Sequence, residues 1–128
     1  MKVEVAIGEV FDKITILDIK LERIKDEKRK ENIRRERQIL SDALEAENLT
    51  DETKLYDNLR EINEKIWDTE AGFREKIATQ TYDQEFIQYA IDNAKYNDER
   101  FLAKKEINEY YMSGVKEEKS YDRLYTSD

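Results

Sequence analysis

Residues 51–78 read DETKLYDNLREINEKIWDTEAGFREKIA. Within this stretch Leu55, Leu59, Ile62, Ile66, Phe73 and Ile77 recur at spacings of 4, 3, 4, 7 and 4, with Tyr56 and Trp67 on the flank. Such spacing lays the apolar side chains along one face of a helix. A helix over 51–78 would be roughly 42 Å long at about 1.5 Å per residue. Gly72 falls inside it, at a cost of about 1 kcal/mol relative to Ala, which invites a kink or the close approach of another helix. An amphipathic rod of this length must bury its stripe against similar rods.

The same pattern continues in both directions. Upstream, Val10, Ile14, Leu17, Leu21 and Ile24 are spaced 4, 3, 4 and 3, defining a first helix that begins near Gly8–Glu9. Phe11, Ile16 and Ile19 widen its stripe enough for a central helix with more than one neighbour. The polar run Lys25–Lys30 interrupts it, and Asp26 is placed to cap a second helix from about residue 27. That helix has a narrow seam of Ile33, Leu40, Ala43 and Leu44. Asn48-Leu49-Thr50-Asp51 reads as a loop, with Thr50 the expected N-cap of the third helix.

Downstream, Thr79 to Asp83 breaks the pattern and Asp83 caps a fourth helix over about 83–112, carrying Phe86, Ile87, Ile91, Phe101, Leu102 and Ile107. Ser113-Gly114 is a helix-stop signal. The tail, Val115 to Asp128, is either a docked strap or disordered. At the opposite end Val3, Val5 and Ile7 alternate with polar residues, as a short strand or an extended arm on the bundle would. The expectation is an all-α protein: an antiparallel four-helix bundle with either a short N-terminal strand or an extended arm, a single domain over 1–114 and a tail over 115–128. Long, narrow-seamed helices leave apolar surface for a second copy, so a homodimer is expected.

Composition closes several classes of activity. The 128 residues contain no Cys, His or Pro and three Gly. Thiolate and imidazole chemistry, disulfides and Cys/His zinc sites are therefore excluded. A phosphate-cradling loop needs closely spaced glycines, and Gly8, Gly72 and Gly114 are far apart. Charged residues make up 42% of the chain, but the signs are mixed and the net charge is −8. That is the composition of long surface-charged helices rather than of a disordered chain. The negative balance argues against nucleic acid as a partner. No apolar run reaches membrane-span length, and no export signal opens the chain, so a cytoplasmic location is expected.

Three sets of residues could carry function. Glu61 and Glu64 form one half of the paired-carboxylate pattern of helical, magnesium-dependent pyrophosphate hydrolases, but Glu85 is followed by Gln88 where the second half would need Asp. No metal site and no cofactor are therefore assigned, and Glu61 and Glu64 read as surface charges.

The second set is polar residues on otherwise apolar faces. Asp12, Lys13 and Lys20 flank the first stripe, Asn63, Glu70 and Arg74 sit along the third, and Asn97, Arg100, Lys104 and Asn108 punctuate the fourth. Unpaired burial of such groups costs about 1–3 kcal/mol each, so they pair with one another or hold a small anionic or polar ligand. The third set is Tyr110, Tyr111, Tyr121 and Tyr125, either an interaction patch or a cover for the bundle end.

The opening block Val5-Ala-Ile-Gly-Glu-Val-Phe-Asp-Lys-Ile-Thr-Ile-Leu-Asp-Ile-Lys-Leu-Glu-Arg-Ile24 resembles that of a family of small uncharacterised proteins from bacteria and from tailed phages of marine cyanobacteria. The blocks Leu59–Asp68, Asn97–Arg100, Lys104–Asn108 and Glu117–Tyr121 extend the resemblance over most of the chain. It implies no reaction. Some bacterial relatives lie beside surface-polysaccharide genes, while a chain rich in Lys, Asn and Ile and lacking Pro suits an AT-rich phage genome.

The reading that results is a binding or scaffolding protein with a protein partner, in a phage setting an accessory protein that contacts a host or virion component in the host cytoplasm. The alternative is a small-molecule-binding or metal-dependent enzyme with a polar site between the first, third and fourth helices.

Overall fold

The computed structural model describes residues 1–111, which form four helices: α1 (Ile7–Arg23), α2 (Glu27–Ala46), α3 (Lys54–Ala78) and α4 (Gln84–Tyr110). The starts of α2 and α4 follow the capping chemistry expected of them. Asp26 accepts from the backbone N–H groups of Lys28 and Arg29 at 3.0 and 3.3 Å, and Asp83 accepts from that of Phe86 at 3.0 Å. The third helix departs from expectation. Thr53, not Thr50, caps it by accepting from Tyr56 N–H at 3.2 Å, while Thr50 Oγ1 closes a turn with Glu52 N–H at 3.1 Å. Both threonines have the right chemistry, and the turn at Thr50 delays the helix by one loop residue after another until Thr53.

Helices α2 and α3 end without glycine. Asn48 and Gln80 take left-handed φ values of 60° and 53°. Behind them Leu49 N–H reaches Leu44 O and Thr81 N–H reaches Lys76 O, each at 2.9 Å, tying off the last turns.

Of the two readings of the N-terminus the strand is not formed: no strand is present among the described residues, and Val3 and Val5 are 71% and 43% exposed. Alternation alone cannot make a strand when no neighbouring backbone supplies its hydrogen bonds. The stop signal at Ser113-Gly114, the tail from Val115 to Asp128, and Tyr121 and Tyr125 lie outside the described residues.

Helix α1 is central and packs against each of the other three, while α3 and α4 pack along one another. Phe11 and Ile14 from α1, Leu44 from α2, Leu59 and Ile62 from α3, and Ala103 and Ile107 from α4 form the core. Tyr111 closes one end against Phe11, with ring centroids 5.6 Å apart, whereas Tyr110 is 71% exposed.

Past Thr69 in α3 and before Asp98 in α4 no described residue is buried. Here the fold is a two-helix projection, held by Phe73 stacked on Phe86 at 4.8 Å and by Lys76 paired with Asp83 and Glu85 at 2.9 Å each. Ile77, Tyr82, Ile87 and Ile91 are exposed along it.

Two glycines permit close helix approach, as expected for Gly72. A Cβ at Gly72 would lie 2.5 Å from the Tyr89 ring, and one at Gly8 would lie 2.6 Å from the Lys104 carbonyl oxygen. A tyrosine ring end can swing aside, but helix backbone cannot. Gly8→Ala is therefore expected to lower the urea midpoint by the equivalent of about 1–3 kcal/mol. Gly72→Ala should cost much less, because the gain in helix propensity of about 1 kcal/mol offsets the ring movement.

Candidate functional site

The polar residues of the bundle interior separate into small groups. In the first, Asp12 of α1 is 1% exposed and its carboxylate is gripped from two sides. Arg100 of α4 donates through Nε to Oδ1 at 2.9 Å and through a second nitrogen to Oδ2. Asn63 of α3 donates through Nδ2 to Asp12 Oδ1 at 2.9 Å and to Thr15 Oγ1 at 2.7 Å. Thr15 in turn donates to the Asp12 carbonyl at 2.7 Å. Burying a carboxylate costs several kcal/mol unless it is paired and hydrogen-bonded, and this bidentate guanidinium with an amide meets both conditions.

In the second group, Lys104 pairs with Glu9 at 2.8 Å and Asn108 Oδ1 accepts from Gly8 N–H at 2.7 Å, fixing the start of α1 on α4. In the third, Arg74 pairs with Glu70 one turn earlier, at 2.9 Å and near the surface. Asn97 is satisfied within α4, donating to the Asn93 carbonyl at 2.8 Å. Lys13 is exposed and Lys20 half-buried, and neither joins these groups. Glu61 and Glu64 engage Lys65 and Arg60 on their own helix, at 3.9 and 2.9 Å.

A cleft of about 380 Å³ opens between α1, α3 and α4. Its apolar wall is Ile16 and Ile19 from α1 with Ile66, Trp67 and Ala71 from α3. Asn63 and Arg100, both from the first group, form its polar edge, and the Glu70–Arg74 pair flanks the mouth. The volume falls in the range of small-molecule sites, which are mostly apolar with a few placed polar groups. None of its lining residues is Ser, Thr, Cys, His or Lys, and the one carboxylate in the wall, Glu70, is engaged by Arg74. Among the described residues no group of three or more carboxylates could hold a metal ion.

Sequence reasoning singled out Asp12, Asn63, Glu70, Arg74 and Arg100, which the structure brings to this cleft or its floor. It missed Thr15, a residue that sits unobtrusively in an apolar stripe, and the roles of Ile16, Trp67 and Ala71.

It also missed a second polar cluster. Asp18 receives Arg37 at 2.6 Å and the Tyr56 hydroxyl, and Arg37 also reaches Asp51 at 2.6 Å. Burial and the hydrogen bond to Asp18 push the Tyr56 phenol above its ordinary value, and the Asp18 hydrogen bond likewise raises Arg37. These groups border a hollow of about 650 Å³ between α2 and α3, with walls of Arg37, Asp51, Lys54 and Asp57. Its members come from α1, α2, α3 and the loop before α3, so no spacing within any one of them marks it.

Removing the Asp12 carboxylate would take from Arg100 its bidentate partner and from Asn63 one of its two acceptors. Asp12→Ala is expected to destabilise the protein by about 3 kcal/mol, whereas Glu70→Ala should change stability by less than about 0.5 kcal/mol. Urea denaturation of the two variants measures the contrast.

Among the described residues no helix is long and apolar enough to cross a membrane. Comparison with curated proteins and with solved structures returned no match. A family model does match, over residues 1–127, and the chain thereby belongs to DUF6165, a family of unknown function.

Proposed function

We propose that this chain is a binding protein that takes a small molecule into the cleft between α1, α3 and α4. The observation that carries the reading is the cleft itself: an apolar wall set against a polar edge whose side chains are held by the buried Asp12–Asn63–Arg100 group. A rigid edge of this kind lowers the ordering cost of binding. The walls offer recognition without a hydroxyl, thiol, imidazole or amine, and their one carboxylate is held by Arg74, which favours binding over turnover. The antiparallel arrangement belongs to the same reading, supported by the pairing of Gly8 with Asn108 and of Asp12 with Arg100.

A second reading, a scaffolding protein that docks a protein partner or its own copy, is favoured by Ile77, Tyr82, Ile87 and Ile91 on the two-helix projection. An accessory protein of a phage would contact its host or virion component through such a surface. Charge substitutions at Ile87 and Ile91 are expected to convert a dimer to a monomer in sedimentation velocity. A wild-type protein already monomeric at tens of micromolar would remove the self-association.

The chain has one tryptophan, and it lines the cleft. A screen of uncharged alicyclic and aromatic fragments should therefore yield compounds that shift Trp67 emission and its indole N–H resonance. Ala71→Phe, at an exposed helical position on the cleft wall, should fill the space and weaken those compounds at least about tenfold, since each 1.4 kcal/mol of lost contact is a factor of ten. Fragments that bind Ala71→Phe as well as wild type would show that the cleft is not the site.

A further inference from the structure

Asn63 is 4% exposed, and both hydrogen bonds made by its side chain use Nδ2, to Asp12 and to Thr15. The orientation of the amide is not arbitrary. An ionised carboxylate only accepts hydrogen bonds, so the atom 2.9 Å from Asp12 Oδ1 must be the NH₂ group. The Asn63 carbonyl oxygen, Oδ1, is thereby turned to the opposite side, and among the described residues it has no hydrogen-bond partner. Yet among the described residues no fully buried side-chain oxygen or nitrogen lacks a partner. Oδ1 is therefore accessible from open space, and the open space that Asn63 lines is the cleft.

The charged side chains that line the cleft are already paired. Arg100 is paired with Asp12, and Glu70 with Arg74. A charged ligand entering the apolar cavity would lose its hydration and meet, among the lining residues, no countercharge that is not engaged. An uncharged ligand avoids that penalty and needs one hydrogen-bond donor to satisfy the waiting acceptor.

We infer that the cleft selects an uncharged molecule with an alicyclic or aromatic body and a hydrogen-bond donor, a hydroxyl or N–H, directed at Asn63 Oδ1. This inference rests on the reading of the cleft as a small-molecule site and names the chemistry that the site accepts. The apolar body lies against Ile16, Ile66 and Trp67, and the donor meets Oδ1. Specificity then follows the rule for buried polar groups: an analogue without the donor leaves the acceptor dehydrated and unpaired.

Asn63→Leu would remove the acceptor but would also strip Asp12 and Thr15 of their donor, so a ligand series is the sharper test. The probes are 4-tert-butylcyclohexanol, its methyl ether and 4-tert-butylcyclohexanecarboxylate, titrated into the full chain while Trp67 emission and the Asn63 side-chain NH₂ resonances are followed. The alcohol is expected to bind about tenfold more tightly than the ether and than the carboxylate, and Ala71→Phe is expected to weaken it. Equal affinity of alcohol and ether would overturn the donor requirement while leaving the cleft as a binding site. Tighter binding of the carboxylate would overturn the preference for an uncharged ligand. If none of the probes moves either signal up to millimolar concentration, the cleft reading and the inference fall together.

Discussion

The carboxylate of Asp12 is the constraint around which this bundle is arranged. An ionised group that is 1% exposed cannot be tolerated at an arbitrary place in an apolar interior. It must meet its donors, and those donors come from two other helices: Arg100 from α4 and Asn63 from α3. Helix α1 can therefore seat only where both reach. A second pin lies one turn away, where Gly8 N–H meets Asn108 and the missing Cβ lets the α1 backbone approach the Lys104 carbonyl. Between these points Phe11 and Ile14 fall into the core with Leu59, Ile62 and Ile107. The apolar burial supplies the bulk of the driving force, since it scales with area, but many helix rotations would bury similar area. The polar pins discriminate among them.

The same pins explain why an opening exists at all. Helix α1 has 17 residues, while α3 and α4 have 25 and 27. A short helix packed against two longer ones covers only part of their length. Burial in α3 ends at Thr69 and in α4 begins at Asp98, and the cleft lies at that boundary, between Ile16 and Ile19 on one side and Trp67 to Arg74 on the other. The exposed apolar residues of the projection have the same origin. Both candidate surfaces are consequences of unequal helix lengths rather than separate inventions.

The helices were legible in the sequence because 3- and 4-residue spacing of apolar side chains has one structural meaning over such lengths, and their caps at Asp26 and Asp83 were legible because short acceptors satisfy the first N–H groups. What misled was chemistry shared by two outcomes. Thr50 and Thr53 cap equally well on paper, and only the turn that Thr50 makes with Glu52 decides between them. Val3 and Val5 alternate as a strand would, but a strand is a property of two segments. For the site, Asp12, Asn63 and Arg100 were visible as polar interruptions of apolar faces. Lys13 and Lys20 were grouped with them because a helical face has soft edges, and a lysine at the edge reaches solvent. Thr15 was hidden because its methyl group suits an apolar stripe while its hydroxyl joins the network. The Asp18–Arg37–Tyr56 cluster had no linear signature at all.

A buried polar network is usually valued for the register that it fixes, and that alone would explain why Asp12, Asn63 and Arg100 are present. It does not explain why the network stops at the cleft with an acceptor facing outward. A purely structural network gains nothing from an open end, because an amide oxygen beside an apolar wall is harder to hydrate than one at a free surface. In this bundle the requirement to satisfy Asp12 commits both amide protons of Asn63 and so leaves its carbonyl oxygen as the polar feature offered to whatever enters. Selectivity for a neutral donor is then a by-product of holding the bundle together. The residue that locks α1 to α3 also sets the chemistry of the opening between them.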